Sequence, residues 1–184
     1  MQCLILAGGL ATRMAPATDD CPKVMLEICG KPFALHQLDW LQSEGATEIL
    51  YCVGHLADQV RNLGSHYRGM KLLYSEESEP LGKMDAIRNA LPLLRPWFIT
   101  VYGDSYCPGV SLRQLAFRFL TSDCQSRLMT TWQGVDHGLS IYWRHVFEND
   151  AFPVRQKWME IGSPEGFAEL EQYLILKQKE QDDD

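Results

Sequence analysis

The sequence predicts an α/β fold, a mostly parallel sheet flanked by helices. Three observations carry this. Short apolar and β-branched runs alternate with amphipathic segments through the first two-thirds of the chain. The connections between these runs read as too long for hairpins, so neighbouring strands should point the same way. The two clearest runs, Gln2 to Ala7 and Trp97 to Tyr102, end in Gly8-Gly9 and Gly103-Asp104-Ser105. Ligands of such sheets bind beyond the carboxyl ends of the strands, so these two loops are the places to look.

Each element has its own reason. Gln2 to Ala7 is a short apolar run and reads as a buried strand. The loop after it extends to Pro22 and holds Thr12, Pro16, Thr18, Asp19 and Asp20, poor residues for a helix interior. Lys31 to Ser43 reads as a helix with Phe33, Gln37, Leu38 and Leu41 on one face and Gly45 as its stop. Thr47 to Val53 is β-branched and aromatic, hence a strand; Leu56 to Leu63 is a short helix. Met70 to Tyr74 is a strand after the turn residue Gly69, and Lys83 to Leu91 is a helix. Ser111 caps a helix running to Leu120, and Arg127 to Trp132 is a strand. In the last third, Gly138 to Trp143 and Lys157 to Ile161 are short strands. Ser163 and Pro164 open a final helix striped by Phe167, Leu170, Tyr173, Leu174 and Leu176. The polar end KQKEQDDD is expected to fray. The expected organisation is one Rossmann-like domain over residues 1–178 and a polar tail over 179–184.

Composition narrows the function classes. With 184 residues, 46% of them apolar, the chain suits a single core. The net charge is −7 and no Lys/Arg stripe is visible, which argues against a nucleic-acid partner. The six cysteines form no C-x-x-C, and no Cys/His set has zinc spacing. Cys3, Cys52 and Cys29 lie in or beside apolar runs, as small hydrophobes do. The start MQCLILAGG lacks the basic and long apolar regions of a signal peptide. No run reaches the roughly 18 apolar residues of a membrane span. A reduced, cytoplasmic protein with no membrane partner is expected.

Three constellations carry chemistry. The first is L-A-G-G-L-A-T-R-M-A-P followed by Pro22-Lys23. Two glycines after a strand let backbone N–H groups approach an anion, while Arg13 offers a forked grip and Lys23 a point charge. Gly-Gly alone would be an ordinary turn; the two cations in the same loop favour phosphate handling. The loop is neither a Walker A nor a dinucleotide fingerprint. The second is Asp104, at a strand end where a metal-bound triphosphate would lie, or else a common Gly-Asp-Ser turn residue. The third is Glu160, an acid flanked by apolar residues in W-M-E-I-G-S-P-E-G, or else an edge-strand residue facing water. The five histidines have no metal spacing, and no G-x-S-x-G string supports serine hydrolysis.

At these residues the sequence resembles the nucleoside-diphosphate-sugar pyrophosphorylases, the sugar-1-phosphate nucleotidyltransferases. LAGGLATRMAPATDDCPKVMLEICGKPF is similar to their N-terminal signature. EPLGKMDAIRNALPLL, FITVYGDSY, VDHGLSIYW and WMEIGSPEGFAELEQYL follow in the family's order, with likeness to the heptose-1-phosphate and mannose-1-phosphate guanylyltransferase branch. The resemblance implies the nucleotide-diphospho-sugar transferase fold and a reaction in which NTP plus sugar 1-phosphate gives NDP-sugar plus pyrophosphate. It implies that backbone groups of Leu6, Ala7, Gly8 and Gly9 hold the nucleotide, with Gly82 near base and ribose. Arg13 would take the β- and γ-phosphates, and Lys23 the α-phosphate and incoming phosphate. Asp104 and Glu160 would share Mg²⁺, and Asp136 and Gly138 would face the sugar. GTP is favoured by the branch, and a homo-oligomer is left open.

Three departures bear on activity. The family's small LGTxGA run is Leu81-Gly82-Lys83-Met84-Asp85-Ala86 here. Between Trp132 and Val135 only Gln133 and Gly134 remain of a stretch that carries a sugar-phosphate lysine in relatives. A second stretch, helical in relatives, is nearly absent between Asn149 and Trp158. The expectation is an intact nucleotide half over 1–132 and a reduced sugar half over 133–178, with Arg127, Arg144, Arg155 or Lys157, Lys157 foremost, as replacement cation. The competing readings are an impaired homologue that binds nucleotide or a partner subunit, and a molybdenum-cofactor guanylyltransferase. The T-R…P-K spacing and IGSPEG argue against the latter.

Overall fold

The structure, a computed structural model, describes residues 1–79, 82–123, 127–132, 135–144, 149–153 and 159–182. The strands are β1 (Gln2–Leu6), β2 (Glu27–Ile28), β3 (Lys31–Pro32), β4 (Glu48–Val53), β5 (His66–Tyr67) and β6 (Met70–Glu76). They continue as β7 (Trp97–Tyr102), β8 (Ser105–Tyr106), β9 (Arg127–Trp132), β10 (Val135–Trp143), β11 (Asn149–Pro153) and β12 (Met159–Glu160). The helices are α1 (Phe33–Ser43), α2 (Ala57–Arg61), α3 (Lys83–Ala90), α4 (Leu112–Thr121) and α5 (Pro164–Asp182).

An eight-stranded sheet runs in the order β11-β9-β10-β7-β1-β4-β6-β5. β1 pairs in parallel with β4 and β7, and β4 with β6. β10 runs antiparallel to both β7 and β9, while β11 is parallel to β9. The sheet is therefore mostly parallel, as expected of strands separated by helices.

Alternation along the strands divides the core. Cys3 and Ile5 of β1 face a large cluster that takes α1, α2, α4 and α5. Leu4, Leu50, Cys52 and Phe98 face the other side, where Ala86, Ile87 and Ala90 of α3 cover them. Ser111 caps α4 by accepting from the Gln114 N–H at 3.4 Å, and Ser163 caps α5 by accepting from the Gly166 N–H at 3.1 Å.

Several expectations change. The first two-thirds do contain hairpins. β2 and β3 are joined by Cys29-Gly30 with φ of 52° and 70°, and β5 and β6 by Arg68-Gly69 with φ of 45° and 83°. Two consecutive positive φ values match the twist of a two-residue hairpin, and a glycine at the second position makes them affordable in each case. Lys31 and Pro32 accordingly belong to β3, and the helix begins at Phe33. Asn149–Pro153 is a strand that no alternation announced; its proline fits an edge strand. α5 continues to Asp182 where fraying was expected, because Gln, Lys and Glu are good helix formers. Leu176 is 61% exposed and lies off the stripe that buries Leu170 and Leu174. Cys3, Cys52 and Cys107 are buried and Cys29 sits in a turn; none of the five described cysteines is in a disulfide. Burial pushes the Cys3 and Cys52 thiols up to about 12. Among the described residues no helix is long and apolar enough to cross a membrane.

Candidate active site

The carboxyl ends of β1, β4 and β7 each run into a glycine, Gly8, Gly54 and Gly103, and the last two press on the chain leaving β1. An added Cβ on Gly54, after β4, would stand 3.1 Å from the Gly8 carbonyl oxygen. One on Gly103, after β7, would stand 2.6 Å from the Leu6 oxygen and 2.9 Å from Val24. The Gly103 N–H donates to Leu6 O at 2.9 Å and the Ala7 N–H to Cys52 O at 2.8 Å. The first loop therefore leaves the sheet pressed between its two neighbours, with no room for side chains on either side. Gly8 itself faces Glu77: its Cβ would meet Oε1 at 2.9 Å.

Two clefts open above these strand ends. One, of about 200 Å³, is lined by Leu6, Ala7, Gly9, Ala11, Lys23, Val24, Tyr102, Gly103 and Asp104. The second, of about 290 Å³, is lined by Leu6, Gly8, Gly9, Glu77, Gly82, Lys83, Ala86 and Tyr102. They share Leu6, Gly9 and Tyr102, so they are two arms of one site.

In the first arm Lys23 and Asp104 form an ion pair, Nζ to Oδ2 3.1 Å. Lys23 is placed by a 3₁₀ turn, Lys23–Met25, that starts at Pro22. Asp104 follows β7 and is fixed by its neighbours. Its carbonyl oxygen accepts from Ile161 N–H at 2.9 Å, and Gln37 of α1, fully buried, donates to the carbonyls of Tyr102 and Ser105 at 3.0 and 2.9 Å. A buried amide with two backbone acceptors holds this turn at defined height. Glu160 lies on β12, directly paired with Ser105 of β8, so its backbone is one residue from Asp104 across the ladder. Arg13 sits in the 3₁₀ turn Thr12–Met14, exposed to solvent, and among the described residues it enters no ion pair. The loop between them is braced by Thr18 Oγ1 donating to Ala11 O and by Gln59 Nε2 donating to Asp20 O.

In the second arm Glu77 is 8% exposed. Gly82 takes φ 76°, a left-handed value that suits glycine, and precedes the first turn of α3. Lys83 Nζ donates to the Tyr102 hydroxyl at 2.8 Å and lies 4.5 Å from the centre of its ring. Asp136 stands beyond: its Oδ2 is 3.7 Å from Lys83 Nζ and 3.2 Å from Arg127, and its Oδ1 accepts from the Gly138 N–H at 2.8 Å. Burial, reinforced by the Asp136 carboxylate, pushes the Tyr102 phenol above its usual value. Gly138 lies in an irregularity of β10 between Asp136 and Ser140, with φ 86°, under Tyr102; a Cβ there would come within 2.2 Å of Tyr102 Cδ2.

The structure thus gathers Leu6, Ala7, Gly8, Gly9, Lys23, Gly82 and Asp104 around one site, with Asp136 at its edge and Arg13 on the adjoining loop. Gly138 is buried beneath Tyr102. Arg155 and Lys157 lie outside the described residues, and Arg144 is turned away, donating to the Leu94 carbonyl at 3.1 Å. Sequence reasoning missed Glu77, Gly54, Tyr102 and Gln37. Gly54 carried a signal, a third glycine directly after a strand. Gln37 carried none, since it reads as one position of an apolar face. Among the described residues no group of three His, Cys, Asp or Glu side chains is gathered.

Comparison with known proteins accords with this geometry. Residues 3–162 match the family model described as the MobA-like NTP transferase domain. The chain is 34% identical over 107 residues to a mannose-1-phosphate guanyltransferase 2 of Candida glabrata, covering 54% of this chain and 29% of that protein. It is 33% identical over 107 residues to a D-glycero-alpha-D-manno-heptose 1-phosphate guanylyltransferase of Campylobacter jejuni, covering 58% of this chain and 48% of that one. The matched stretch thus spans less than half the length of either relative. Among solved structures, HddC from Yersinia pseudotuberculosis shares the fold at a TM-score of 0.80 and 22% identity, over 94% of this chain and 99% of that chain. The nucleotide-diphospho-sugar transferase architecture expected from the sequence is the one observed, and the chain belongs to the MobA-like NTP transferase domain family.

Proposed function

We propose that the chain transfers a nucleotidyl group from a nucleoside triphosphate, GTP in first place, to a sugar 1-phosphate and releases pyrophosphate. The observation that carries this is the two-armed cleft, with an ion pair in one arm and a glycine-lined recess with a buried acid in the other. In this reading the backbone of Leu6, Ala7, Gly8, Gly9 and Gly82 holds the nucleoside. Arg13 takes the β- and γ-phosphates and Lys23 the α-phosphate. Residues 1–132 form the nucleotide side, and 133–178 a shortened acceptor side with Asp136 at its edge and Gly138 beneath Tyr102 as its support.

The curated relatives named above are guanylyltransferases, and Glu77 supports the same base here. Guanine presents two adjacent donors, N1–H and the 2-amino group, which one carboxylate can accept together; adenine, with N1 as an acceptor, cannot offer this pair.

A divalent cation fits the first arm. Asp104 offers a carboxylate on the cleft wall, and Mg²⁺ takes one or two carboxylates together with phosphate oxygens. Asp104 and Glu160 would hold it, and it would neutralise charge on the reacting phosphates.

The sugar phosphate is already an anion, so its oxygen needs no general base. It attacks the α-phosphorus, and the bond from that phosphorus to the bridging oxygen breaks. The electron pair leaves with pyrophosphate on the opposite side. Positioning and charge neutralisation then supply the catalysis.

The test is pyrophosphate release by the purified chain with Mg²⁺, four NTPs and a panel of sugar 1-phosphates. GTP with mannose or heptose 1-phosphate should give release, and Glu77→Gln should erode the preference for GTP. NTP binding with no release from any pair would make the chain a nucleotide-binding homologue. Absence of both would overturn the reading.

A further inference from the structure

We infer that Lys83, held between Tyr102 and Asp136, is the cation that receives the phosphate of the acceptor. This rests on the nucleotidyltransferase reading and names the group that completes its acceptor side.

In-line transfer puts the attacking oxygen and the departing pyrophosphate on opposite sides of the α-phosphorus. Two phosphate groups must therefore be neutralised from two directions. The loop cations Arg13 and Lys23 both come from the segment after β1, and Lys23 is already shared with Asp104 at 3.1 Å. Tyr102 forms a wall shared by both arms of the cleft. On that wall the ammonium of Lys83 rests, 2.8 Å from the phenol oxygen and 4.5 Å from the ring centre. Its side chain is 25% exposed, so it borders the cleft without being sealed from it.

The surroundings fit a cation that exchanges partners. Asp136 lies 3.7 Å from Lys83, longer than a hydrogen bond, and is tied more closely to Arg127 at 3.2 Å and to the Gly138 N–H at 2.8 Å. An arriving phosphate can therefore take Lys83 while Asp136 keeps its other partners, Arg127, the Gly138 N–H and the Tyr102 hydroxyl. Tyr102 keeps its proton, since burial and Asp136 raise its pKa, so it remains a neutral hydrogen-bonding partner of Lys83. Arg127 lies behind Asp136 and over the Tyr142 ring at 5.5 Å, which makes it a support for Asp136. The ligand class is a phosphomonoester dianion.

The experiment is calorimetry on the full chain with Mg²⁺ and a non-hydrolysable GTP analogue. Mannose 1-phosphate, glucose 1-phosphate and inorganic phosphate are then titrated as probes. Lys83→Gln should bind the phosphate probes about 10- to 100-fold more weakly, the effect of losing one hydrogen bond to a charged group, and should lose much less on the GTP analogue, whose recess it also lines. Lys83→Arg should recover part of the loss, which a merely structural role would not require. Unchanged probe affinity in Lys83→Gln would overturn the inference. So would a loss that falls on the GTP analogue instead. A parent chain that binds the GTP analogue but none of the probes overturns the inference alone; one that binds no nucleotide overturns the functional reading beneath it.

Discussion

On the proposed function, replacing Asp104 with Asn should tighten binding of metal-free GTP and remove the gain expected from Mg²⁺. The reason lies in the pair with Lys23. At a separation of 3.1 Å, with an effective dielectric constant near 20, the gross attraction is about 5 kcal/mol. The side chains are 15% and 26% exposed, so solvent screens much of it. A net value of about 1–2 kcal/mol is reasonable for a hydrogen-bonded, part-buried pair. A triphosphate must displace that carboxylate to use Lys23, and it meets the repulsion of Asp104 as well. Asparagine removes both obstacles, so metal-free affinity should rise about 5- to 30-fold. With Mg²⁺ present the order should reverse, because in the proposed reading the cation loses a carboxylate ligand. Calorimetric titration of GTP in chelator and then in Mg²⁺, on parent and variant, reads both effects. Lys23→Met should weaken binding in both buffers, and the double variant should lose most of the gain. Metal-free affinity that is unchanged or weaker in Asp104→Asn would refute the reasoning.

Arg13→Ala should weaken nucleotide binding by about 1.5–3 kcal/mol, the range for a hydrogen bond to a charged group; unaltered affinity by calorimetry would remove Arg13 from the site. Gly138→Ala combines a φ of 86° with a Cβ 2.2 Å from the Tyr102 ring, and should cost about 1–3 kcal/mol in urea unfolding while displacing Tyr102. Asp39 of α1 is buried enough to be pushed up, but hydrogen bonds from Lys31 and Tyr67 and the charges of Lys31 and Arg68 outweigh this and hold it below its ordinary value. Its contribution to stability is therefore present above the unfolded carboxylate pKa, about 3.9, and lost as pH falls through the folded value. Asp39→Asn should lower stability at pH 7 and flatten the acid limb of a pH series of urea midpoints; a limb as steep as the parent's would contradict the assignment.

The sequence by itself determined the main alternation of strands and helices through the first two-thirds and the mostly parallel sheet, and it pointed to the glycine loop after the first strand. These are local properties. Apolar runs such as Trp97 to Tyr102 are strands wherever they occur in a buried sheet, and glycines directly after them mark a loop that must approach something closely. Ser111 and Ser163 capped their helices because a cap is decided within four residues. The hairpins at Cys29-Gly30 and Arg68-Gly69 were less legible, since a non-glycine residue at positive φ hides the first half of each turn. Only the tertiary structure decided the partners. Lys23 and Asp104 are 81 residues apart and meet because β1 and β7 are neighbours. Lys83 read as an odd residue in a small-residue run; only the packing of α3 against the sheet brings its first residue to Tyr102 at the end of β7 and to Asp136 on β10. Gln37 sits on the buried face of a helix, and what makes it structural is two carbonyls from a turn 65 and 68 residues away. Pairings of this kind depend on where the sheet places its strand ends, and no period along the chain encodes that.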